Sequence, residues 1–495
     1  MQNTALQYLI IRITIVLLLL MPLIVAAEST DEIDVALPDD LDILLEEYSP
    51  AKHIWGGYIK NETAYRFDEP RSFTKIRNVA SLNWQYILTS SVKFYTSGWA
   101  YYDHVYDLFN YETITARSVR DEDEPLVFLE QLEQQKDDKR AEIRELYVDM
   151  FFDALDLRIG KQYTVWGVLE GMRIVDEINP MDFHELITPD LLDYRIALWT
   201  FKANYYAGNT TYELIWIPEL VFHQSAPRGS EWELFQVLDG TTKPKNFEPE
   251  FSEIGFKITR AMLDAEITFS YFYTWDDYPT TFRVISQDDV SSATPTEELP
   301  IFPTYTRMQI FGTTFTREIS GDILKAEFAY VKDKYFAIVD EYVDGFLISD
   351  GDVQRDHIRW GVGYDFSLFG ADVGPAIGQA IILDYQSYIL TTEFDTTFNV
   401  FLRKPLPKYS AVFSLLYIHL LKFQETYIKP RVHFNLTDHF RVTLGGDFFI
   451  GQRTKFGRKS DASAEGGLVT PQQRARFLGN FNENKRFILE FKYTF

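Results

Sequence analysis

The chain has 495 residues, no cysteine, and 48 Lys and Arg against 73 Asp and Glu, a formal net charge of −25. The missing cysteine excludes a disulfide scaffold, thiolate metal sites, iron–sulfur clusters and a cysteine nucleophile, and the acidic balance argues against nucleic acid as a partner. A hydrophobic fraction of 46% with 40 Phe, 30 Tyr and 9 Trp excludes a disordered chain, and the length implies two or three domains or one large barrel.

Residues 1–27 read as a cleaved secretory signal. Arg12 is the basic n-region, Ile13 to Val25 is apolar apart from Thr14 and Pro22, and Val25-Ala26-Ala27 supplies small residues for cleavage. The apolar run is too short for the ~20 residues of a transmembrane helix. Glu28, rather than cysteine, follows the expected cut, which argues against a lipoprotein. Residues 28–50 then hold nine acidic residues and no basic one. Leu37, Leu41, Leu44, Leu45 and Tyr48 recur there at helical spacing, so a periplasmic extension with a short amphipathic helix is expected. It reads either as a solvated extension or as a lid or docking segment.

From residue 51 to 495 apolar and polar residues alternate with period 2, the signature of strands with one greasy and one wet face. Strands are expected at 53–67, 75–88, 90–104, 142–152, 155–164, 195–206, 209–218, 251–260 and 262–275. Nine more follow at 304–319, 321–332, 356–367, 378–390, 394–403, 409–421, 425–436, 439–450 and 485–495. Short turns (Thr89, Asp153-Ala154, Ala207-Gly208, Ala261, Thr437-Asp438) follow even-numbered strands, and long connections (105–141, 165–194, 219–250, 276–303, 333–355, 451–484) follow odd-numbered ones. A soluble sandwich has no reason to sort its loops by parity, whereas a transmembrane antiparallel β-barrel does. The expected fold is therefore all-β, a barrel of 18 strands, with 16 as the alternative count where 368–408 alternates weakly. Phe487, Leu489, Phe491, Tyr493 and Phe495 share one face of the last strand. That ending resembles the signal read by the bacterial barrel assembly machinery, and it implies the outer membrane of a Gram-negative cell with lipid and lipopolysaccharide around the wall.

Charge is uneven, with 16 Lys and Arg against seven Asp and Glu after residue 400. By phase Arg359, Lys429, Arg431, Arg441 and Lys492 point inward. They either draw anions through a pore or pair with inward acids such as Asp365, Asp447 and Glu490. Arg453, Lys455, Arg458 and Lys459 form a basic loop suited to lipopolysaccharide phosphates. The charge-rich stretch 120–140 reads as a solvated loop.

The most informative block is Leu157-Arg158-Ile159-Gly160-Lys161-Gln162 leading to Trp166-Gly167, then Asn179-Pro180-Met181-Asp182, then a strand bearing Arg195. Arg158, Gly160 and Gln162 share the lumen face by phase, and Asn179-Pro180 favours a turn. The block resembles a bacterial outer-membrane barrel family of unknown function, itself similar to alginate-export porins. The resemblance implies a barrel of the 18-strand type with loop 165–194 packed into the lumen. Arg158, Gln162, Trp166, Arg173, Asp176, Asp182 and Arg195 would then form or face a constriction. The resemblance carries no substrate; the expectation of a small, anionic or amphiphilic solute diffusing through the lumen comes from the inward basic residues.

Enzyme signatures are missing. None of His53, His104, His184, His223, His357, His419, His433 and His439 stands in a Gly-x-Ser-x-Gly or His-Glu-x-x-His context. His433 and His439 flank a turn and offer the one arrangement for a barrel hydrolase acting on lipid or surface polymer. Asp276-Asp277 and Asp288-Asp289 lack the spacing of a calcium loop. No cofactor and no metal is expected. An assembly or adhesion barrel working through its long loops is the third reading.

Overall fold

The structure, a computed structural model, describes residues 52–109, 138–191, 193–227, 230–233, 241–262, 264–283, 301–338, 342–343, 346–347, 352–452 and 477–495. The expected signal (1–27), the acidic extension (28–50), most of 120–140, Asp288-Asp289 and the basic loop 453–459 lie outside the described residues.

Eighteen antiparallel strands form one closed sheet. In chain order the first nine are β1 (Lys52–Arg66), β2 (Ser72–Thr89), β3 (Val92–Asp103), β4 (Lys139–Phe152), β5 (Leu155–Gln162), β6 (Leu198–Ala207), β7 (Thr210–Ile217), β8 (Glu253–Met262) and β9 (Ala265–Trp275). The rest are β10 (Arg307–Ile319), β11 (Asp322–Ala337), β12 (Asp352–Leu368), β13 (Ala371–Ile382), β14 (Phe394–Leu406), β15 (Ala411–Leu420), β16 (Glu425–Asn435), β17 (Phe440–Ile450) and β18 (Arg486–Thr494). Each pairs with its neighbours in sequence. The ring closes where β1 meets β18, from Tyr58 opposite Thr494 to Arg66 opposite Arg486. Closure leaves no free sheet edge. Among the described residues no helix is long and apolar enough to cross a membrane.

The count of 18 and the sorting of connections by parity agree with the sequence. One end of the barrel carries short turns, six of two residues and two of four. Ser320-Gly321 and Phe369-Gly370 have positive φ at both positions, the backbone of the primed turns whose twist matches flanking strands. The other end carries the long connections, although β1–β2 and β15–β16 are joined there by only five and four residues. The strand expected at 378–390 runs instead at Ala371–Ile382.

Alternation sets the two faces. Phe269 and Trp55 stand on the exterior, 63% and 60% exposed. Trp55 and Trp84 stack at 5.6 Å near the short-turn end, and Tyr65 meets Phe73 at 5.1 Å near the other. Phe487, Phe491 and Phe495 point outward on and after β18. Phe495 exchanges backbone hydrogen bonds with Gly57 (3.0 and 3.1 Å), and a Cβ on Gly57 would lie 2.9 Å from its ring. Inside, the lining is charged on one side and apolar on the other.

Candidate functional site: a loop seated in the barrel

The site begins at the strand end read in the sequence. Gly160 has φ +136°, and a Cβ there would fall 2.2 Å from the Leu146 carbonyl oxygen, so glycine is required where β5 crosses β4. Gln162, fully buried, donates from Nε2 to the Thr200 carbonyl at 3.0 Å and ties β5 to β6. Beyond it residues 163–197 turn into the lumen. The neck is closed by Asn179, which accepts the Thr164 N–H at 2.8 Å and donates to the Ile196 carbonyl at 2.7 Å. Arg195 holds Asp176 at 2.6 Å, both buried.

One side of the loop is apolar. Trp166, Leu169, Ile174, Val175 and Ile178 pack on Ile215, Ile217, Phe272, Met308, Ile310, Ala329 and Val331 of the inner wall. Burial of this kind is worth ~1.5–3 kcal/mol per large side chain. The wall is thinned to receive it. A Cβ on Gly361 or Gly363 would stand 2.7 or 2.8 Å from the Leu169 methyl carbons, and one on Gly255, Gly312 or Gly378 would strike Trp166, Val175 or Met172. Glu327 on β11 then fixes the loop backbone. Its carboxylate accepts the N–H groups of Val168, Leu169 (2.6 Å) and Val175 (3.2 Å).

The other side of the loop is charged and meets the basic wall. Glu177 contacts Arg359 (2.5 Å), Asp182 contacts Arg140 (2.5 Å) and His184, and Asp190 contacts Lys429 (2.9 Å). Glu185 gathers Lys75 (2.5 Å), Arg77 and Arg486 (3.2 Å). Burial alone would raise these carboxyl pKa values. The cations outweigh it, so Arg173 and Arg359 hold Glu177 at about 2, and His184 and Arg140 hold Asp182 at about 2. Between this face and strands β1–β4 and β16–β18 remains a cavity of about 330 Å³, lined by Tyr58, Trp99, Tyr101, Lys429, Arg441 and Lys492 among others.

The sequence-derived residues divide into three groups. Gln162, Trp166, Asp176 and Arg195 are buried in the seat and neck of the loop. Arg158 pairs with Asp149 (2.6 Å), while Arg173 donates to the Asp176 and Asn179 carbonyls and Arg359 to Glu177. Asp182, Lys429, Arg431, Arg441 and Lys492 line the cavity. Of the inward acids, Asp365 takes Lys325 (2.5 Å), and Asp447 takes both Arg431 (2.7 Å) and Arg486 (2.8 Å). Among the described residues Arg441 and Lys492 have no carboxylate within 4.0 Å; Arg441 donates to Asn435 Oδ1 at 2.8 Å. His433 faces the lumen between Ser414 (3.3 Å) and Thr443 (3.0 Å), and His439 binds the Thr494 carbonyl at the turn (2.9 Å). Neither ring meets a carboxylate there. No group of three described His, Asp or Glu residues is placed to hold a metal ion.

Two features escaped sequence reasoning. Glu327 is one acid among many on inward faces, and nothing local marks its partners. Between β7 and β8 a second described segment contributes: Trp232, 4% exposed, packs with Leu186 of the first loop and with Tyr427, Phe449, Leu478 and Phe481. Arg486 lies 4.8 Å over its ring. A tryptophan between Glu231 and Glu233 in a polar stretch was the available signal.

Residues 66–217, which contain the whole seated loop, match a protein family of unknown function, DUF1302. No curated protein matches. Among solved structures the chain is similar to OccAB2 of Acinetobacter baumannii (TM-score 0.48, 8% identity, 90% of this chain and 98% of that one). It is similar also to OccAB4 of the same organism (TM-score 0.45, 10% identity, 90% and 98%) and to OmpF of Salmonella typhi (TM-score 0.36, 9% identity, 90% and 98%).

Proposed function

We propose that this protein is an outer-membrane channel of the porin kind, through which a small anionic or amphiphilic solute diffuses. The observation that carries the reading is a closed barrel, apolar outside, whose lumen is narrowed by an inward loop yet keeps a charged cavity. Only closed barrels and helices satisfy every backbone group in hydrocarbon, and a wet, charged interior is what a conducting barrel needs. Residues 163–197 form the constriction. Arg441 and Lys492, free of carboxylate partners, attract anions beside it, while Lys75, Arg77, Arg140, Arg359, Lys429 and Arg486 hold the loop. The short-turn end faces the periplasm and the long connections face outward, among lipid and lipopolysaccharide. A signal at 1–27 directs export, and the outward row ending in Phe495 serves assembly. The likeness to alginate-export porins belongs to this reading, as does the lack of catalysis: His433 has hydroxyl partners and no acid to orient it.

Planar bilayers test the proposal. Purified full-length protein should give discrete, small, anion-preferring conductance steps and swelling of liposomes in small solutes. A folded barrel that gives neither overturns it.

A further inference from the structure

Resting on the channel reading, one feature of the lumen narrows the solute. The inward residues of β3 include Tyr95, Ser97, Trp99 and Tyr101, and Tyr147 of β4 stands opposite Tyr95. At ~3.3 Å per residue, rings two apart on a strand repeat about every 7 Å. Tyr95 and Tyr147 stack at 5.1 Å and 28°, and Trp99 meets Tyr101 at 5.7 Å and 71°. Guanidinium groups lie over three of these rings: Arg77 over Tyr101 at 4.8 Å, Arg144 over Trp99 at 5.0 Å and Arg158 over Tyr147 at 4.0 Å. Each of these arginines meets a carboxylate: Arg77 meets Glu62 (2.9 Å, shared with Lys60) and Glu185, Arg144 meets Glu142 (3.2 Å, shared with Arg140), and Arg158 meets Asp149 (2.6 Å). Their charge is thus compensated, and their effect is to hold the rings upright. The rings belong to none of the apolar clusters among the described residues. Except for Tyr101 they are half-buried, in a lumen whose usual lining is polar.

The opposite flank supplies charge. Lys60, Lys492 and Arg441 are register partners across β1, β18 and β17, an arrangement of like charges that destabilises a sheet unless something answers it. Glu62 answers Lys60 at 2.9 Å. Lys492 and Arg441 have no such partner among the described residues, so this pair presents uncompensated positive charge to the cavity. The two features meet at Tyr58. Its ring lies 4.1 Å under the Lys492 Nζ, and it shares a hydrogen-bonding row with Ser81 and Trp99. Tyr58, Trp99, Tyr101, Arg441 and Lys492 line the same cavity.

We infer that this cavity selects an anion with a flat aryl body, its ring lying against Tyr58, Trp99 and Tyr101 while its anionic group is held by Lys492 and Arg441; the Tyr95–Tyr147 pair continues the aromatic row along β3 and β4 outside the cavity. The full-length protein in micelles is titrated calorimetrically with 2-naphthalenesulfonate and with methanesulfonate, both charged at every working pH, and both are then tested as blockers of chloride current. The aryl probe should bind at least tenfold more tightly and block at correspondingly lower concentration. Tyr58→Ala with Trp99→Ala should remove most of that preference, Tyr58→Phe with Trp99→Phe should keep it, and Lys492→Gln with Arg441→Gln should weaken both probes. Chloride current with equal affinity for the two probes, or an aryl preference undiminished in the alanine pair, overturns the inference and leaves the channel standing. Preferential aryl binding without any current sustains this site and overturns the channel.

Discussion

Replacing Glu327 with alanine removes the one carboxylate that accepts three backbone N–H groups of the seated loop, those of Val168, Leu169 and Val175. Hydrogen bonds to charged groups are worth ~1.5–3 kcal/mol each, so three set a ceiling of roughly 5–9 kcal/mol. Relaxation and partial rehydration of the freed amides recover part of this, so we expect about 2–3 kcal/mol to be lost from the seated state, a rise of roughly 30- to 140-fold in loop opening. Glu327→Gln keeps an acceptor without its charge and should fall between. Because the chain has no cysteine, Leu169→Cys gives a single reporter buried in the seat. Its labelling by a water-soluble maleimide should accelerate by that factor in the alanine background, and mean conductance should rise. The strand ladder on both sides of β11 is untouched, so barrel melting should move little. An unchanged labelling rate in a barrel of unchanged melting temperature would refute the idea that this carboxylate holds the loop.

Gly363→Leu should expel Leu169 from its seat, since even a Cβ would come within 2.8 Å of it; overpacking of this kind costs ~1–3 kcal/mol, and Leu169→Cys labelling should again accelerate. Arg441→Glu with Lys492→Glu should shift reversal potentials toward cation preference in an intact barrel, and unchanged selectivity would make both residues structural. Arg431→Glu should behave differently, because it deprives buried Asp447 of one of its two cations; the expected cost is ~3–5 kcal/mol, read as lower melting before any change in selectivity. Acid should loosen the loop: Glu177 and Asp182 are held at about 2, below ordinary values of 4.5 and 3.8, so their anchoring is complete above about pH 4.5 and is lost as pH falls toward 2. Conductance recorded from pH 5 to 2.5 should rise, and a flat profile would contradict the assignment.

The barrel was legible because a wall between lipid and water must repeat every two residues, and that period survives boundary errors of several residues. The reading slipped at 378–390, and the structure supplies the cause. The strand there, Ala371–Ile382, carries Gly374, Pro375, Ala376 and Gly378, and Gly378 and Ala376 are small because Met172 and the apolar side of the loop lie against them. The wall lost its alternation where it was thinned to receive the loop. Gly361 and Gly363 carry the same information, yet sequence alone shows them only as strand glycines. For Arg431 and Arg441 the inward direction followed from phase. Which of them is compensated did not, since that depends on the register that sets Asp447 beside Arg431 and Asn435 beside Arg441. Loop docking joins residues about 150 positions apart, as with Glu327 and Val175, and no local pattern encodes such a pair.

Seating and selectivity are two consequences of one set of ion pairs. Every loop carboxylate that holds a wall cation, Glu177 on Arg359, Asp182 on Arg140, Glu185 on Lys75, Arg77 and Arg486, Asp190 on Lys429 and Asp193 on Lys60, both draws the loop inward and removes that cation from the path of a solute. Opening the loop by an apolar or backbone lesion, which leaves every charge in place, therefore uncovers positive wall while it widens the lumen. A Gly363→Leu channel, in which no charge is altered, should pass more current and discriminate more strongly in favour of anions. Widening a uniformly charged pore weakens discrimination instead, because the field at its axis falls with distance and screening. The sign of the selectivity change in that variant thus separates a wall whose cations the loop keeps covered from one whose charge was open throughout.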